Sequence, residues 1–344
     1  MKNVIVTGCA GFIGSHAIKV MQTKGWNIIG IDSFKHRGQY TRLDINKTNI
    51  DIYHHDIASQ IDPQLENKIL ARKINSRGNI VDGRKIDYIF NFASESAVER
   101  SAQDPVPPLV NNSMLAINML EFARRIKPKL FFQISTDEVF GEAPGNTAHK
   151  EWSSIIPSSP YSASKASQEA VAIAYWRTYN TPVVITNTMN IIGEMQDKEK
   201  FLPKIINSIM TDQEIPIYVD RDDKIGSRVY TDVLNKIDAL IFLAEKLDGI
   251  DTSFQNGYDR PPRYNICGSH EFNNLEFVEL VSKIMEKPFR HKLIKPDVIR
   301  PGYDSRYALD NCKLLNFGWS QPYTIEETIR RVVDFTLRNQ EWLI

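Results

Sequence analysis

The chain has 344 residues, 42% of them hydrophobic and 24% charged, with Lys plus Arg equal to Asp plus Glu at 42 each. That length suits one large α/β domain with a smaller lobe, at roughly 100–200 residues per domain; the zero net charge offers no broad positive field for nucleic acid or an anionic membrane. Three widely spaced cysteines, Cys9, Cys267 and Cys312, make neither a C-x-x-C pair nor an even framework, which argues against zinc and against a secreted disulfide scaffold.

The opening "MKNVIVTG" enters a strand-like run directly, without the regions of a signal peptide. No apolar run reaches the ~18–20 residues that span a bilayer, so the expected location is the cytoplasm. In the first half, short β-branched runs alternate with longer helical patterns, the signature of a parallel sheet with crossover helices. Strands are predicted over Val4–Thr7, Ile28–Asp32, Ile50–His54, Tyr88–Phe92, Leu130–Ser135 and Pro182–Asn187. Helices are predicted over Ser15–Lys24, Pro108–Ile126 and Ser162–Tyr179. After Asn187 the alternation loosens, with a helical pattern at Asp232–Leu247, the strand-like "RYNIC" and the helical "NLEFVELVSKIM".

The first strand runs into "TGCAGFIGSH", where Gly8, Gly11 and Gly14 allow a tight turn and close approach of backbone N–H groups to a pyrophosphate. The helix beginning near Phe12 offers its positive end to the same anion. A glycine turn also serves structure alone, but here a strand precedes it, a helix follows, and Asp32 closes the second strand 18 residues after Gly14. An acid at that place accepts hydrogen bonds from ribose hydroxyls and repels the extra phosphate of NADP, so NAD is the predicted cofactor. Asp56, in "HHDI", is either a second contact at the adenine edge or a plain loop acid. The predicted architecture is a Rossmann-like doubly wound parallel sheet over residues 1–190, carrying the cofactor and the catalytic residues. A smaller C-terminal substrate-binding lobe follows over 191–344. The boundary is soft, because strands near 182–187 and 263–267 can rejoin the main sheet.

Two further motifs carry chemistry. "SPYSASKAS" sets Tyr161 and Lys165 four apart on one face of a helix opened by Pro160. A phenol with an ordinary pKa of about 10 is a poor base until a nearby ammonium favours its phenolate. The pair occurs by chance in many helices; combined with the glycine fingerprint it describes a short-chain dehydrogenase/reductase of the extended branch. "STDEVFG" ends an apolar strand with Thr136 and the adjacent acids Asp137 and Glu138, which strand alternation would send to opposite sides.

On "VTGCAGFIGSH", "ASESAVERS", "STDEVFG", "SPYSASKASQEA", "YNICG" and "RPGYDSRYALD" the chain resembles the nucleotide-sugar 4,6-dehydratases over nearly its whole length, in particular the dTDP-glucose group. The resemblance implies oxidation of a sugar at C4, loss of water across C5 and C6, and return of hydride to C6. It assigns Tyr161 to the C4 hydroxyl proton, Lys165 to its support, Thr136 to alignment, Glu138 to the C5 proton and Asp137 to the departing C6 hydroxyl. Around the dinucleotide it implies Gly8, Gly11, Phe12, Ile13, Gly14, Asp32, Asp56, Ile57 and Ala93. For a nucleotide-diphosphate sugar it implies Ser96, Asn190, Lys200, Pro216, Tyr218, Arg228, Asn265 and Arg300, with no metal, and a homodimer built on the helices Pro108–Ile126 and Ser162–Tyr179. Arg306 reads equally as a salt bridge or a ligand contact.

The sequence departs from the family pattern at Ala97, Glu99, Gly226 and Tyr303, where His, Asp, Arg and His are usual, and at Cys9, which replaces a glycine as a small residue. Arg228, on the same strand face as Gly226, is the expected substitute for the missing arginine. The segment 59–85 is longer than usual. Two alternatives keep the fold and NAD, a nucleotide-sugar 4-epimerase and a UDP-glucuronate decarboxylase. A third is a non-catalytic binding module.

Overall fold

The computed structural model describes residues 1–35, 38–43, 50–74, 80–96, 98–220, 222–295 and 304–343. Its main feature is a seven-stranded sheet in the order Arg263–Ile266, Val183–Thr188, Leu130–Ile134, Tyr88–Asn91, Asn3–Thr7, Asn27–Asp32, Ile50–His54. The five pairings from Val183–Thr188 through Ile50–His54 are all parallel. Such strands are covered on both faces, and their near-continuous apolar runs follow from that: every residue of "YIFN", "LFFQI" and "VVITNT" is buried. The strand order reverses beside Asn3–Thr7, the point where doubly wound sheets open a crevice at their carboxyl ends.

The chain divides into two compact units, each assembled from separated segments. The first comprises Met1–Ser135, Ala163–Thr186 and Ile241–Arg263; the second comprises Thr136–Ser162, Asn187–Leu240 and Tyr264–Ile344. The first has a core that includes Ile5, Ile29, Ile89, Leu120, Phe131, Trp176 and Ile185. The second packs Ile205, Ile206, Ile217, Tyr230, Phe277, Val281 and Val332. Its strand Glu214–Tyr218 pairs in parallel with Arg290–Ile294, and alternation buries Ile215 and Ile217 while Pro216 stays exposed. The strands expected to rejoin the main sheet, near 182–187 and 263–267, are both in it.

The long segment 59–85 contains the helix Pro63–Ile69 and an antiparallel pair, Lys73–Ile74 with Ile80–Asp82. Asp62 caps the helix by accepting hydrogen bonds from the Gln64 and Leu65 amides at 2.8 and 2.9 Å. Within the first unit, Glu66 then receives Arg72 and Arg125 at 2.8 and 3.0 Å.

Candidate active site

The glycine loop is built as a cradle. Gly8 has φ +63°, and a Cβ there would stand 3.0 Å from the Ala93 backbone; one on Gly14 would stand 2.1 Å from the Gly8 carbonyl oxygen. Only hydrogen fits at either position. The helix Phe12–Thr23 starts directly behind Gly11, whose lack of a side chain leaves the first turn without a side-chain cap. Asp32 secures the turn: its carboxylate accepts from the Ala10 amide at 2.9 Å and the Phe34 amide at 2.8 Å. Asp56 meets Lys35 at 2.6 Å, and Ile57 is buried, its carbonyl accepting from Asn118 at 2.9 Å. These residues fit a dinucleotide, with backbone amides and a helix end for the pyrophosphate. Cys9 is fully buried, and burial pushes its thiol up, so it packs rather than reacts.

Lys165 lies on the helix Pro160–Tyr179, one turn after Tyr161. Its amine donates to the Ile134 carbonyl at 2.7 Å and to Gln168 Oε1 at 2.6 Å. Burial brings its pKa down to about 7. The helix is opened by a reciprocal cap: the Ser159 amide donates to Ser162 Oγ at 2.9 Å, and the Ser162 amide to Ser159 Oγ at 3.1 Å.

In the second unit the acid pair is not on a strand. The strand ends at Ile134, and Asp137–Phe140 is a 3-10 turn whose cap is Thr136, which accepts weakly from the Glu138 amide at 3.4 Å. The expected strand alternation therefore does not separate the two carboxylates; a three-residue turn, with successive side chains roughly 120° apart, does. Gly141 ends the turn at φ +74°, where a Cβ would stand 2.4 Å from the Ile156 carbonyl oxygen.

Asp137 is buried, and Thr136 Oγ1 donates to its Oδ1 at 2.8 Å, while its Oδ2 is buried with no partner among the described residues. Burial raises its pKa to about 6, against the opposing pull of Thr136 and Arg228. Tyr161, half-buried, shares a hydrogen bond with Thr136; its pKa is pushed up first by burial and then by Glu138 and Asp137. Thr136, Asp137, Glu138 and Tyr161 thus form one interacting group.

The other expected contacts are distributed as follows. Ser96 lies in the loop before the helix Val98–Gln103. Asn190 begins the strand Asn190–Ile192, opposite Tyr230, and Lys200 stands at the N-cap of Phe201–Met210. Pro216 and Tyr218 share the face of their strand opposite Ile215 and Ile217. Asn265 is fully buried and donates its amide to the His149 and Asp310 carbonyls at 3.0 and 2.9 Å. Arg228 donates to the carbonyls of Ser227, Asp304 and Ser305 at 2.6, 2.8 and 2.8 Å, and its guanidinium lies 4.6 Å from the Tyr307 ring centre. Arg306 forms a two-pronged salt bridge with Glu271, at 2.8 Å on each prong. Arg300, Ala97 and Tyr303 lie outside the described residues.

The sequence model for GDP-mannose 4,6 dehydratase matches residues 5–332. The chain belongs to that family. Among relatives of this 4,6-dehydratase family member, a dTDP-glucose 4,6-dehydratase of Xanthomonas campestris pv. campestris is 29% identical, over all of this chain and 95% of the relative. The dTDP-glucose 4,6-dehydratase 1 of Escherichia coli K12 is 30% identical over 99% of this chain and 94% of its own length. The crystal structure of dTDP-glucose 4,6-dehydratase from Bacillus anthracis in complex with NAD superposes with a TM-score of 0.82 at 26% identity, covering 99% of this chain and 98% of that one. A UDP-N-acetylglucosamine 4-epimerase from Methanobrevibacter ruminantium scores 0.81 at 25% identity, with 98% and 99% covered.

Sequence reasoning passed over two groups near this chemistry. One is Tyr307, whose hydroxyl donates to Asp304 at 2.8 Å and whose pKa is raised by burial and then by Glu138. The other is a file of buried amides behind Lys165. Its signal was present: Asn91 and Gln133 interrupt the otherwise apolar runs "YIFN" and "LFFQI".

Proposed function

We propose that this chain is an NAD-dependent nucleotide-sugar 4,6-dehydratase that converts an NDP-hexose, dTDP-glucose foremost, to the 4-keto-6-deoxy sugar and water. The observation that carries the reading is the group Thr136, Asp137, Glu138 and Tyr161, in which burial raises the pKa of one carboxyl to about 6 beside another that is half-exposed. NAD, when bound, accepts the C4 hydride and gives it back at C6. The chain's own residues move the protons. Tyr161 takes the C4 hydroxyl proton while Thr136 aligns that hydroxyl, and Lys165, one turn along the helix, favours the phenolate. Oxidation at C4 acidifies the C5 hydrogen, which Glu138 removes. Asp137 delivers its proton to the departing C6 hydroxyl, so that the elimination releases water, and the proton held on Glu138 returns to C5 as C6 is reduced.

Gly8, Gly11, Phe12, Ile13, Gly14, Asp32, Asp56, Ile57 and Ala93 are assigned to the dinucleotide. Ser96, Asn190, Lys200, Pro216, Tyr218, Asn265 and Arg300 are assigned to the nucleotide sugar, together with Arg228 through the segment whose carbonyls it holds. The family likeness also supports a homodimer formed by the helices Val106–Ile126 and Pro160–Tyr179. Among the described residues no helix is long and apolar enough to cross a membrane, and we place the protein in the cytoplasm.

The 4-epimerase reading is favoured by the likeness to the epimerase fold, but epimerisation at C4 expels no hydroxyl and has no use for a carboxyl whose proton affinity burial has raised, as at Asp137. Incubation with dTDP-, UDP-, CDP- and GDP-glucose and with UDP-glucuronate, read by mass spectrometry and NMR, separates these readings. Loss of one water is expected from at least one of them. An unchanged mass with inverted C4 would establish the epimerase, and loss of carbon dioxide from UDP-glucuronate the decarboxylase.

A further inference from the structure

We propose that Gln168 is the positioning residue of Lys165: fixed by a file of buried amides, it presents one carbonyl oxygen to the lysine amine and so governs where that amine sits and how firmly it keeps its proton. The file lies within the first unit. The Ala93 amide donates to Thr7 Oγ1 at 3.2 Å, and Thr7 donates to Asn91 Oδ1 at 2.7 Å. Asn91 Nδ2 donates to Gln133 Oε1 at 3.0 Å, and Gln133 Nε2 to Gln168 Oε1 at 3.2 Å. Gln168 Nε2 donates to the Asn112 carbonyl at 2.8 Å, which leaves its oxygen aimed at Lys165 Nζ.

Thr7, Asn91, Asn112, Gln133 and Gln168 all have zero exposure, so no solvent competes for these bonds. The amides of Asn91, Gln133 and Gln168 are each fixed in orientation by a neighbour, and the donors of Thr7, Asn91 and Gln133 run in one direction, toward the Gln168 oxygen. A buried ammonium has no water to stabilise it and depends on the acceptors it finds, here two neutral oxygens, Gln168 Oε1 and the Ile134 carbonyl. The side chains that hold Gln168 from the strands Tyr88–Asn91 and Leu130–Ile134 and from the helix Val106–Ile126, namely Asn91, Gln133 and Asn112, carry no titratable group. Its own helix adds Ser164 and Tyr161; Glu169, one turn on, is occupied by a buried ion pair with Arg263. Among the described residues of the unit, burial acts on the amine with no charged partner to oppose it. The acceptor on Gln168 is therefore the element whose change moves the amine's proton affinity most directly.

The catalytic consequence rests on the dehydratase reading, since it is there that Lys165 must be an ammonium. The test does not. In the NAD-loaded protein with 13Cε-labelled lysine, the Lys165 resonance is identified by its loss in Lys165→Met, and its titration midpoint is compared in wild type, Gln168→Leu and Gln168→Glu. We expect Gln168→Leu to lower the midpoint and Gln168→Glu, nearly identical in shape, to raise it, each by about one pH unit or more. A merely structural glutamine would change melting temperature in both variants without moving the midpoints in opposite directions. Midpoints that match wild type, or that shift in the same direction, would overturn the proposal. If Gln168→Leu does not fold, Gln168→Glu decides alone, a raised midpoint supporting the assignment and an unmoved one refuting it. No sugar enters the measurement, so failure of every nucleotide sugar to react does not alter the midpoints or what they decide.

Discussion

At Asp137 a carboxyl is held where water cannot stabilise its charge, and the same burial that makes it a proton donor makes it a liability to the fold. Its folded pKa of about 6 stands above the ordinary 3.8. The sign follows: the group contributes nothing adverse below the unfolded value, and its ionisation cost grows as pH rises through 4 to 6 and is complete above that, at most roughly 3 kcal/mol. Asp137→Asn is thus expected to raise the melting temperature at pH 8 and leave it nearly unchanged at pH 4, while water loss slows by about 10²–10⁴-fold. Thermal melts at both pH values and a single-turnover assay check it; a variant less stable at pH 8 would remove burial as the cause. The sequence displayed both acids and offered no means of ranking their burial. It did carry a start signal for the turn, Thr before Asp-Glu, which the apolar strand ahead of it obscured.

Among the elements, the glycine loop was readable in detail because each glycine answers to a backbone constraint that spacing alone reveals. What spacing could not reveal is the fit between loop and neighbouring strand. A Cβ on Gly30 would stand 2.8 Å from Cys9 Sγ, so the thiol that replaces a loop glycine fills the space that Gly30 leaves open. Gly30→Ala is expected to destabilise the protein by roughly 1–3 kcal/mol through overpacking. In a Cys9→Gly background the same change should cost less, a coupling that a double-mutant cycle of denaturant unfolding measures directly. Additive effects would mean that the two sites do not pack on each other. Arg228 shows the opposite limit of sequence reasoning. Two-residue alternation was expected to let it stand in for the arginine missing at Gly226, but the strand begins only at Ser227, and the Arg228 guanidinium is engaged by the carbonyls of its neighbour Ser227 and of Asp304 and Ser305.

For the molecule as a whole, sequence periodicity recovered the parallel sheet, since strands buried on both faces advertise themselves as apolar runs. It could not recover the two units, because each combines segments far apart in the chain and nothing local marks that exchange. The family places nearly the entire length in one enzyme class, and the acid–base group gives that class a reason in this chain's own residues. The central claim is that one bound sugar is oxidised at C4, dehydrated and reduced at C6 without releasing hydride. The most direct test is dTDP-glucose deuterated at C4, incubated with the NAD-loaded protein and followed by NMR and mass spectrometry. The account predicts a product lacking one water with the deuterium carried on C6. Deuterium that remains at C4 in a sugar of unchanged composition, or that is lost to solvent, would contradict it.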